Sequence, residues 1–137
     1  MLYTEILSGV WIGDVDIMYS NKFLEDNFIT IIINCTVTRK FPDNSNTQNI
    51  RIPLTNNLYQ SIHVLKQNKQ KILSFIDRAI ETDNILIICE DGIIASPFII
   101  SLYLVNYGGI EVGNIRSIIQ SKNQAISMDF DIGLLDL

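Results

Sequence analysis

The segment with the clearest chemical potential runs from Leu86 to Ser96, LIICEDGIIAS, where a cysteine follows an apolar run. The ionised thiol of Cys89 would be a nucleophile, and the two acids beside it could donate or accept protons. A glycine follows the acids, and a serine and a proline close the segment. A strand that turns sharply into a helix also offers backbone N–H groups to an anion. This segment is therefore the candidate catalytic or anion-binding loop.

The loop lies between a predicted strand and a predicted helix. The apolar run from Ile85 to Cys89 is typical of a strand that is covered on both faces of a parallel sheet. Ser96 is predicted to be the N-cap and Pro97 the first residue of a buried helix that continues to Tyr107. Gly108 follows and stops this helix. Ligands of such sheets bind beyond the carboxyl ends of the strands, which is where the loop begins.

The remaining elements alternate between strands and helices. A hairpin turn is predicted at Ser8-Gly9, on the edge of the sheet, and a polar, flexible loop from Thr38 to Asn49. The other predicted strands run from Leu2 to Leu7, Val10 to Ile12, Phe28 to Cys35 (central) and Ile50 to Leu54, and the other helices from Asp16 to Asp26, His63 to Ile80, Val112 to Ser121 and Phe130 to Leu137. This order predicts one α/β domain, residues 1–137, with a central, mostly parallel, twisted sheet flanked by helices.

Composition limits the class of function. The net charge of −5 and the isoelectric point near 4.6 disfavour binding to nucleic acid or to anionic membranes. No apolar run approaches the roughly 20 residues of a membrane span, and the N-terminus lacks the parts of a secretory signal. Two cysteines do not provide a set of thiols able to hold zinc, and we expect no metal and no cofactor. A reducing, intracellular and most simply cytoplasmic location follows.

Four motifs along the chain match, in order, the pattern of one enzyme family. Ile6 to Asp14, ILSGVWIGD, is similar to an opening strand of the type I…GLYLG, and Ile29 to Thr36, ITIIINCT, is similar to the strand ITHVLNVT. Ile52 to Asn56, IPLTN, matches an IPVxD segment, and Ile88 to Ser96, ICEDGIIAS, aligns with the signature HCxxGxxRS. Over nearly its whole length the chain resembles the dual-specificity protein phosphatases of the cysteine-dependent tyrosine phosphatase superfamily.

The resemblance implies a catalytic trio of which this chain keeps one member. In the family, a cysteine thiolate attacks phosphorus, an arginine clamps the phosphoryl oxygens and an aspartate protonates the leaving oxygen. Cys89 holds the nucleophile position, Ala95 replaces the arginine, and Asn56 falls where the acid is expected. Ile88 replaces the histidine that helps to keep the thiolate ionised. The remnant phosphate loop consists of Cys89, Glu90, Asp91, Gly92, Ile93, Ile94, Ala95 and Ser96.

These losses predict a catalytically inactive pseudophosphatase that binds a protein partner, through the remnant loop or through another face. The alternative is a weak or specialised tyrosine, serine or threonine phosphatase with Cys89 as nucleophile, in which Asp91 or Asp131 supplies the proton and Arg39 the cation. A third hypothesis is a structural protein that assembles as a homodimer. The abundance of isoleucine and asparagine is similar to that of phosphatase homologues from large DNA viruses, which makes a viral source an expectation.

Simpler interpretations exist for the same residues. Taken without the resemblance, Cys89 is a buried structural thiol and the two acids and glycine after it are an ordinary turn. His63 is a solvated residue at the start of a helix rather than a base. Asn34 and Ser96 are expected to hold the shape of the loop by hydrogen bonds. The ordered set of motifs is what favours a role for Cys89.

The resemblance also implies a relation between the two cysteines. In the family fold, the strands that end at Cys35 and Cys89 are parallel neighbours, so both thiols emerge at the same edge of the sheet. Neighbouring strands lie about 4.8 Å apart, within the range that a disulfide bridges. Some members of the superfamily protect their nucleophile in this way. Here we expect both thiols to be reduced in the native protein and to pair slowly under peroxide.

Overall fold

Five short strands form the sheet in a computed structural model that describes residues 1–43 and 46–137. They are β1 (Tyr3–Leu7), β2 (Val10–Gly13), β3 (Ile31–Asn34), β4 (Gln48–Arg51) and β5 (Ile85–Ile88). Their order across the sheet is β1-β2-β5-β3-β4, with β1 antiparallel to β2 and the other neighbouring pairs parallel. The predicted α/β fold with a mostly parallel sheet is confirmed.

Helices cover both faces of this sheet. They are α1 (Val15–Met18), α2 (Asn21–Asp26), α3 (Ile62–Ala79), α4 (Ala95–Asn106), α5 (Val112–Lys122) and a final 3-10 helix, Ile132–Asp136. None of the helices in the described residues is long and apolar enough to cross a membrane.

The interior strands β3 and β5 divide their side chains between two hydrophobic clusters. Ile31 and Ile33 join Ile85 and Ile87 in the larger cluster, which includes residues of α3, α4 and α5. The alternate positions of both strands pack with α1 and α2 on the other face. All four residues of each strand are buried. This two-sided burial explains why their sequences, IIIN and ILII, lack the apolar-polar alternation of a half-exposed strand.

Several predicted boundaries differ from the structure. The helix predicted from Asp16 to Asp26 is two helices, because Ser20 caps α2 by accepting a hydrogen bond from the backbone N–H of Phe23 at 3.2 Å. The strand predicted from Phe28 starts at Ile31, since Phe28 has a left-handed φ of 53°. Left-handed backbone is incompatible with a continuous strand.

The strand order also corrects two predictions. β5, rather than the strand predicted from Phe28 to Cys35, is the middle strand, and of the hairpin only β1 is at an edge. The turn at Ser8-Gly9 is confirmed, with Gly9 at a φ of 79°. β4 begins two residues earlier than predicted and ends before Ile52, at the last residue paired with β3. Of the predicted loop from Thr38 to Asn49, residues 44 and 45 lie outside the described residues.

Candidate functional site

The candidate loop starts where β5 ends, between the ends of its neighbours β2 and β3. The backbone N–H of Cys89 donates to the carbonyl of Gly13 at 3.1 Å, and that of Cys35 donates to the carbonyl of Ile88 at 2.7 Å. The side chains of Cys35 and Cys89 are both buried, each about 1% exposed. Asn34 pairs with Ile88 in the parallel register, so the two cysteines follow adjacent positions on neighbouring strands. The predicted adjacency of the strands is confirmed.

Cys89 sits in an environment that favours the neutral thiol. Its Sγ lies 3.2 Å from the hydroxyl of Ser96 and 3.7 Å from a carboxylate oxygen of Asp91. Burial raises the pKa of Cys89 and the charge of Asp91 raises it further, whereas the hydrogen bond with Ser96 lowers it; the net direction is upward. A phosphatase nucleophile needs the opposite shift, because the thiolate is the attacking form.

Ser96 is not the N-cap of the helix after the loop, which corrects the prediction. Ile94 takes the N-cap position and α4 begins at Ala95, so Pro97 is the third helical residue, where a missing N–H still costs no intrahelical bond. The fully buried Ser96 hydroxyl instead contacts Cys89 and donates to the carbonyl of Gly13 at 3.4 Å. It ties the loop to the end of β2, which confirms its expected role in shaping the loop.

Gly92 brings the loop close to the end of β2. Its φ is 76°, and an added Cβ would lie 3.0 Å from the backbone nitrogen of Asp14. The Asp14 carboxylate accepts hydrogen bonds from the backbone N–H groups of Leu2 and Ile17, at 2.7 and 3.0 Å. Asp14 therefore fixes the segment against which the loop packs. Sequence reasoning missed this role, although a carboxylate directly after a strand and before a helix is a recognisable capping signal.

The two acids of the loop behave differently. Asp91 turns inward, and its Oδ1 accepts from the backbone N–H of Ile93 at 3.0 Å. One N–H that could face an anion is thus occupied by the chain's own carboxylate. Glu90 is exposed and accepts from the guanidinium of Arg39, with Nη2 2.5 Å from Oε1 and Nε 3.0 Å from the same oxygen. The pair lowers the pKa of Glu90 and raises that of Arg39.

The segment after β3 holds Arg39 at the loop. Asn34 accepts from the backbone N–H of Thr36 at 3.0 Å and donates to the carbonyl of Arg39 at 2.9 Å. Arg51 donates to the carbonyls of Thr36 and Arg39, at 2.9 and 2.6 Å, and its guanidinium lies 5.2 Å from the ring centre of Phe41. Asn34 therefore shapes the segment after β3, whereas it was expected to shape the loop after β5. The sequence did not predict the role of Arg51, because its hydrogen bonds depend on how the backbone from Thr36 to Arg39 folds back toward β4.

Ala95 and Ile88, two of the positions that differ from the family pattern, are buried. Ala95 begins α4 about 1% exposed, and Ile88 ends β5 fully buried. Neither position holds a cationic residue, and the sequence from Cys89 to Ser96 contains no lysine, arginine or histidine.

The third such position, Asn56, lies apart on an exposed segment. It borders a cavity of about 280 Å³ that Tyr59 and Phe130 also line. Asp131, one of the two candidate acids, accepts from the hydroxyl of Tyr59 at 3.2 Å and from the backbone N–H of Gly133 at 2.8 Å. These contacts place Asp131 near the segment of Asn56.

His63 lies on the exposed side of α3. Its ring nitrogen is 3.1 Å from the side-chain amide of Gln67, one turn further along the helix. In the described part of the chain, no group of three or more His, Cys, Asp or Glu side chains could hold a metal ion.

Solved structures with the same fold are numerous. Human DUSP28 aligns with a TM-score of 0.84 at 12% identity, covering 98% of this chain and 90% of that one. A mouse putative dual-specificity phosphatase, complexed with zinc tungstate, has a TM-score of 0.84 at 15% identity and coverages of 98% and 84%. The human tyrosine phosphatase-like serine/threonine/tyrosine-interacting protein has a TM-score of 0.82 at 18% identity and coverages of 98% and 93%.

Sequence comparison gives the family directly. No curated protein matches the chain. The family model for the dual specificity phosphatase catalytic domain matches residues 10–133, which include both strands that end at a cysteine and the whole loop. The chain belongs to the dual-specificity phosphatase family.

Proposed function

We propose that this protein is a pseudophosphatase that acts as a protein-binding or scaffold module. The observation that carries the proposal is the buried Ala95 at the end of the loop, where the family pattern has an arginine. A phosphoryl group in this loop would lack the two-pronged clamp of a guanidinium. Each charge-assisted hydrogen bond of such a clamp contributes about 1.5–3 kcal/mol.

The state of the nucleophile supports the same proposal. The pKa of Cys89 is raised, mainly by burial, so the thiolate is scarce at neutral pH. Glu90 and Asp91 add negative charge where a phosphate dianion would approach. Losing the clamp and the proton donor together is expected to cost several factors of ten in rate, at about 1.4 kcal/mol for each.

A binding role is compatible with the retained architecture. The strands, the loop and the helix after it keep the family's arrangement although the chemistry of the loop has changed. One of the proteins with a similar fold is named as tyrosine phosphatase-like and as an interacting protein. For the present chain, a protein partner of unidentified sequence is part of the proposal, as are an intracellular, cytoplasmic location and the absence of nucleic-acid and membrane partners.

Hydrolysis of an aryl phosphate by purified protein tests the proposal. We expect no turnover above that of Cys89→Ser, the variant that removes the nucleophile while keeping a similar volume. Ala95→Ser is the matched control for a small change in the same loop. A rate that is well above background and disappears in Cys89→Ser would overturn the proposal.

A weak or specialised phosphatase is the second candidate, and the position of Arg39 favours it. Its guanidinium already lies at the rim of the loop, bound to Glu90, and could turn to an incoming phosphate. In this candidate Cys89 attacks the phosphorus and Asp91 or Asp131 protonates the leaving oxygen. Arg39→Ala, Asp91→Asn and Asp131→Asn should then each reduce the rate measured in the same assay.

Self-association is a separate expectation that either function can accommodate. Light scattering at several protein concentrations distinguishes a monomer from a homodimer. A molar mass that stays at that of one chain across this range would exclude the homodimeric assembly.

A further inference from the structure

The edge strand β4 and helix α3 enclose a groove on the side of the protein away from β1. The groove contains a cavity of about 320 Å³. It is lined by β4 and the residue after it (Gln48, Ile50, Arg51, Ile52) and by one stripe of α3 (Asn68, Lys71, Ile72, Phe75, Arg78). A smaller cavity of about 290 Å³ continues it past Gln48, Phe75 and Arg78.

We propose that this groove binds an extended, acidic segment of a partner protein, which adds to the sheet beside β4. The inference deepens the proposed function, since it gives the binding module a surface and a class of partner. Three kinds of observation carry it: the free edge of β4, the charges around the groove and the dimensions of its walls.

The outer edge of β4 offers unpaired backbone groups. The N–H groups of Gln48 and Ile52 donate to the carbonyls of Thr30 and Asn34 in and beside β3, at 2.8 and 3.0 Å. In a parallel pair, alternate residues face the same neighbour, so the N–H groups of Asn49 and Arg51 face away from β3. β4 is the last strand of the described sheet. An extended peptide can therefore form main-chain hydrogen bonds along it.

The charge of the groove is opposite to that of the protein. The chain carries −5 overall, yet Arg51, Lys71 and Arg78 line the groove. Lys71 and Arg78 are exposed, and neither forms an ion pair with a carboxylate among the described residues. Arg51 donates to the carbonyls of Thr36 and Arg39. The guanidinium of Arg51 is therefore already engaged, and Lys71 and Arg78 are the cations that would attract carboxylates of a bound segment.

Among the described residues that line the two cavities, the one acidic residue lies at one end. Asp83 borders the smaller cavity, and its carboxylate accepts hydrogen bonds from the hydroxyls of Thr30 and Thr82, each at 2.8 Å. The carboxylate of Asp77 is directed toward α4, where it accepts a hydrogen bond from the hydroxyl of Tyr103 at 2.9 Å. No acid is found among the described residues that line the main cavity.

The two walls match in length. The stripe from Asn68 to Arg78 rises about 15 Å along α3. The stretch from Gln48 to Ile52 spans about 13 Å. Four or five extended residues fit between them. Ile50, Ile52, Ile72 and Phe75 form an apolar floor on the α3 side of the groove. The side chains of the segment that point toward α3 can lay their methylene groups on this floor and reach Lys71 and Arg78 with their carboxylates.

Fluorescence anisotropy with a labelled peptide of alternating glutamate and valine, seven residues long, tests the proposal on the full chain. We expect saturable binding that weakens with salt, and no binding of the same peptide with glutamine in place of glutamate. Lys71→Glu/Arg78→Glu should weaken binding at least tenfold. Lys66→Glu/Lys122→Glu is the control, because it changes the net charge equally at exposed positions outside the groove.

Two further measurements separate strand addition from general attraction. Two versions of the peptide carry methyl groups on one or the other set of alternate backbone nitrogens, and the version whose methyl groups face β4 should bind at least tenfold more weakly. The amide NMR signals of Asn49 and Arg51 should shift most on titration with the unmodified peptide. Three outcomes would overturn the proposal. They are equal weakening of peptide binding by both double variants, unchanged binding of both methylated peptides, and NMR shifts centred on residues 89–96. Circular dichroism confirms that the variants are folded.

The proposed function can fail independently of the groove. Hydrolysis that depends on Cys89 would overturn the pseudophosphatase assignment and leave peptide binding unaffected. Absence of peptide binding at millimolar concentration, together with absence of hydrolysis, would overturn only the groove.

Discussion

The guanidinium of Arg39 forms a salt bridge with the carboxylate of Glu90, with Nη2 2.5 Å from Oε1, although the two residues are 51 positions apart in the sequence. The pair joins the segment after β3 to the rim of the loop. Both side chains are nearly half exposed, at 49% and 44%, so solvent screens their attraction and the pair contributes little to the stability of the fold. Its main effect is on the charge that an approaching anion meets.

Glu90→Gln is expected to increase the affinity of the loop for inorganic phosphate. The substitution removes one negative charge and releases Arg39, and a charge interaction of about 1 kcal/mol corresponds to roughly fivefold tighter binding. Calorimetric titration at low ionic strength measures the change. Glu81→Gln, an exposed substitution of the same charge, is the control. Equal affinities of Glu90→Gln and the wild type would show that Arg39 does not reach the loop.

Ala95→Arg is expected to restore oxyanion binding without restoring turnover. The loop still joins the N-terminus of α4, so a guanidinium there could complete an anion site. Ala95 is buried, and the larger side chain should lower the free energy of unfolding by about 1–3 kcal/mol. Phosphate titration and urea unfolding measure the two effects.

Turnover is expected only after Asn56→Asp is added to Ala95→Arg, since the leaving oxygen needs a proton donor. Ala95→Met controls for the volume of the new side chain without its charge. A folded Ala95→Arg protein that binds no oxyanion at millimolar concentration would mean that Glu90 and Asp91, or the shape of the loop, dominate.

The sequence predicts the sheet well because two of its three interior strands, β3 and β5, consist almost entirely of isoleucine and leucine. Apolar runs such as IIIN and ILII, each four buried residues long, are typical of strands that are covered on both faces of a parallel sheet. The middle position of β5 was missed, because strand order depends on packing across the sheet and both runs have the same hydrophobic pattern.

The site was only partly predictable for a similar reason. The resemblance locates the loop, and the prediction that β3 and β5 are neighbours is confirmed. The start of α4 was predicted wrongly from a local rule, as serine before proline usually caps a helix; here the Ser96 hydroxyl bonds to Cys89 and Gly13 instead. The pairing of Arg39 with Glu90 depends on side chains brought together by the fold.

Asp91→Asn is expected to make Cys89 more reactive. Burial raises the pKa of Cys89 and the Asp91 charge raises it further, so removing that charge should lower the pKa and increase the thiolate fraction at a given pH. An asparagine oxygen can still accept from the backbone N–H of Ile93, which preserves the loop. The rate of alkylation by iodoacetamide, followed at Cys89 by peptide mass spectrometry, measures the effect.

The raised pKa of Cys89 determines how stability and thiol reactivity change with pH. A raised pKa means that the thiol ionises more readily in the unfolded chain, so its contribution to stability is complete below an ordinary thiol pKa of about 8.5 and is lost as the pH rises through the higher folded value. The alkylation rate of the wild type should therefore still be rising above about pH 8.5. Asp129→Asn is the control, and identical pH profiles of the wild type and Asp91→Asn would contradict the argument.

Cys35 and Cys89 are expected to form a disulfide slowly when the protein is treated with peroxide. They follow paired residues of the parallel strands β3 and β5, which places them about 4.8 Å apart across the sheet, within the 4.4–6.8 Å that a disulfide spans. Both thiols are buried, and the pKa of each is raised, so little thiolate is available to start the reaction.

Mass spectrometry of unreduced digests should show a Cys35–Cys89 linked peptide that is absent from untreated protein. Asp91→Asn should accelerate its formation if the Cys89 thiolate is the species oxidised first, and Cys35→Ser should leave Cys89 to proceed to sulfinic and sulfonic acids. Higher oxidation of Cys89 in the wild type while Cys35 stays a free thiol would show that the two sulfur atoms do not come within bonding distance, despite the register of their strands.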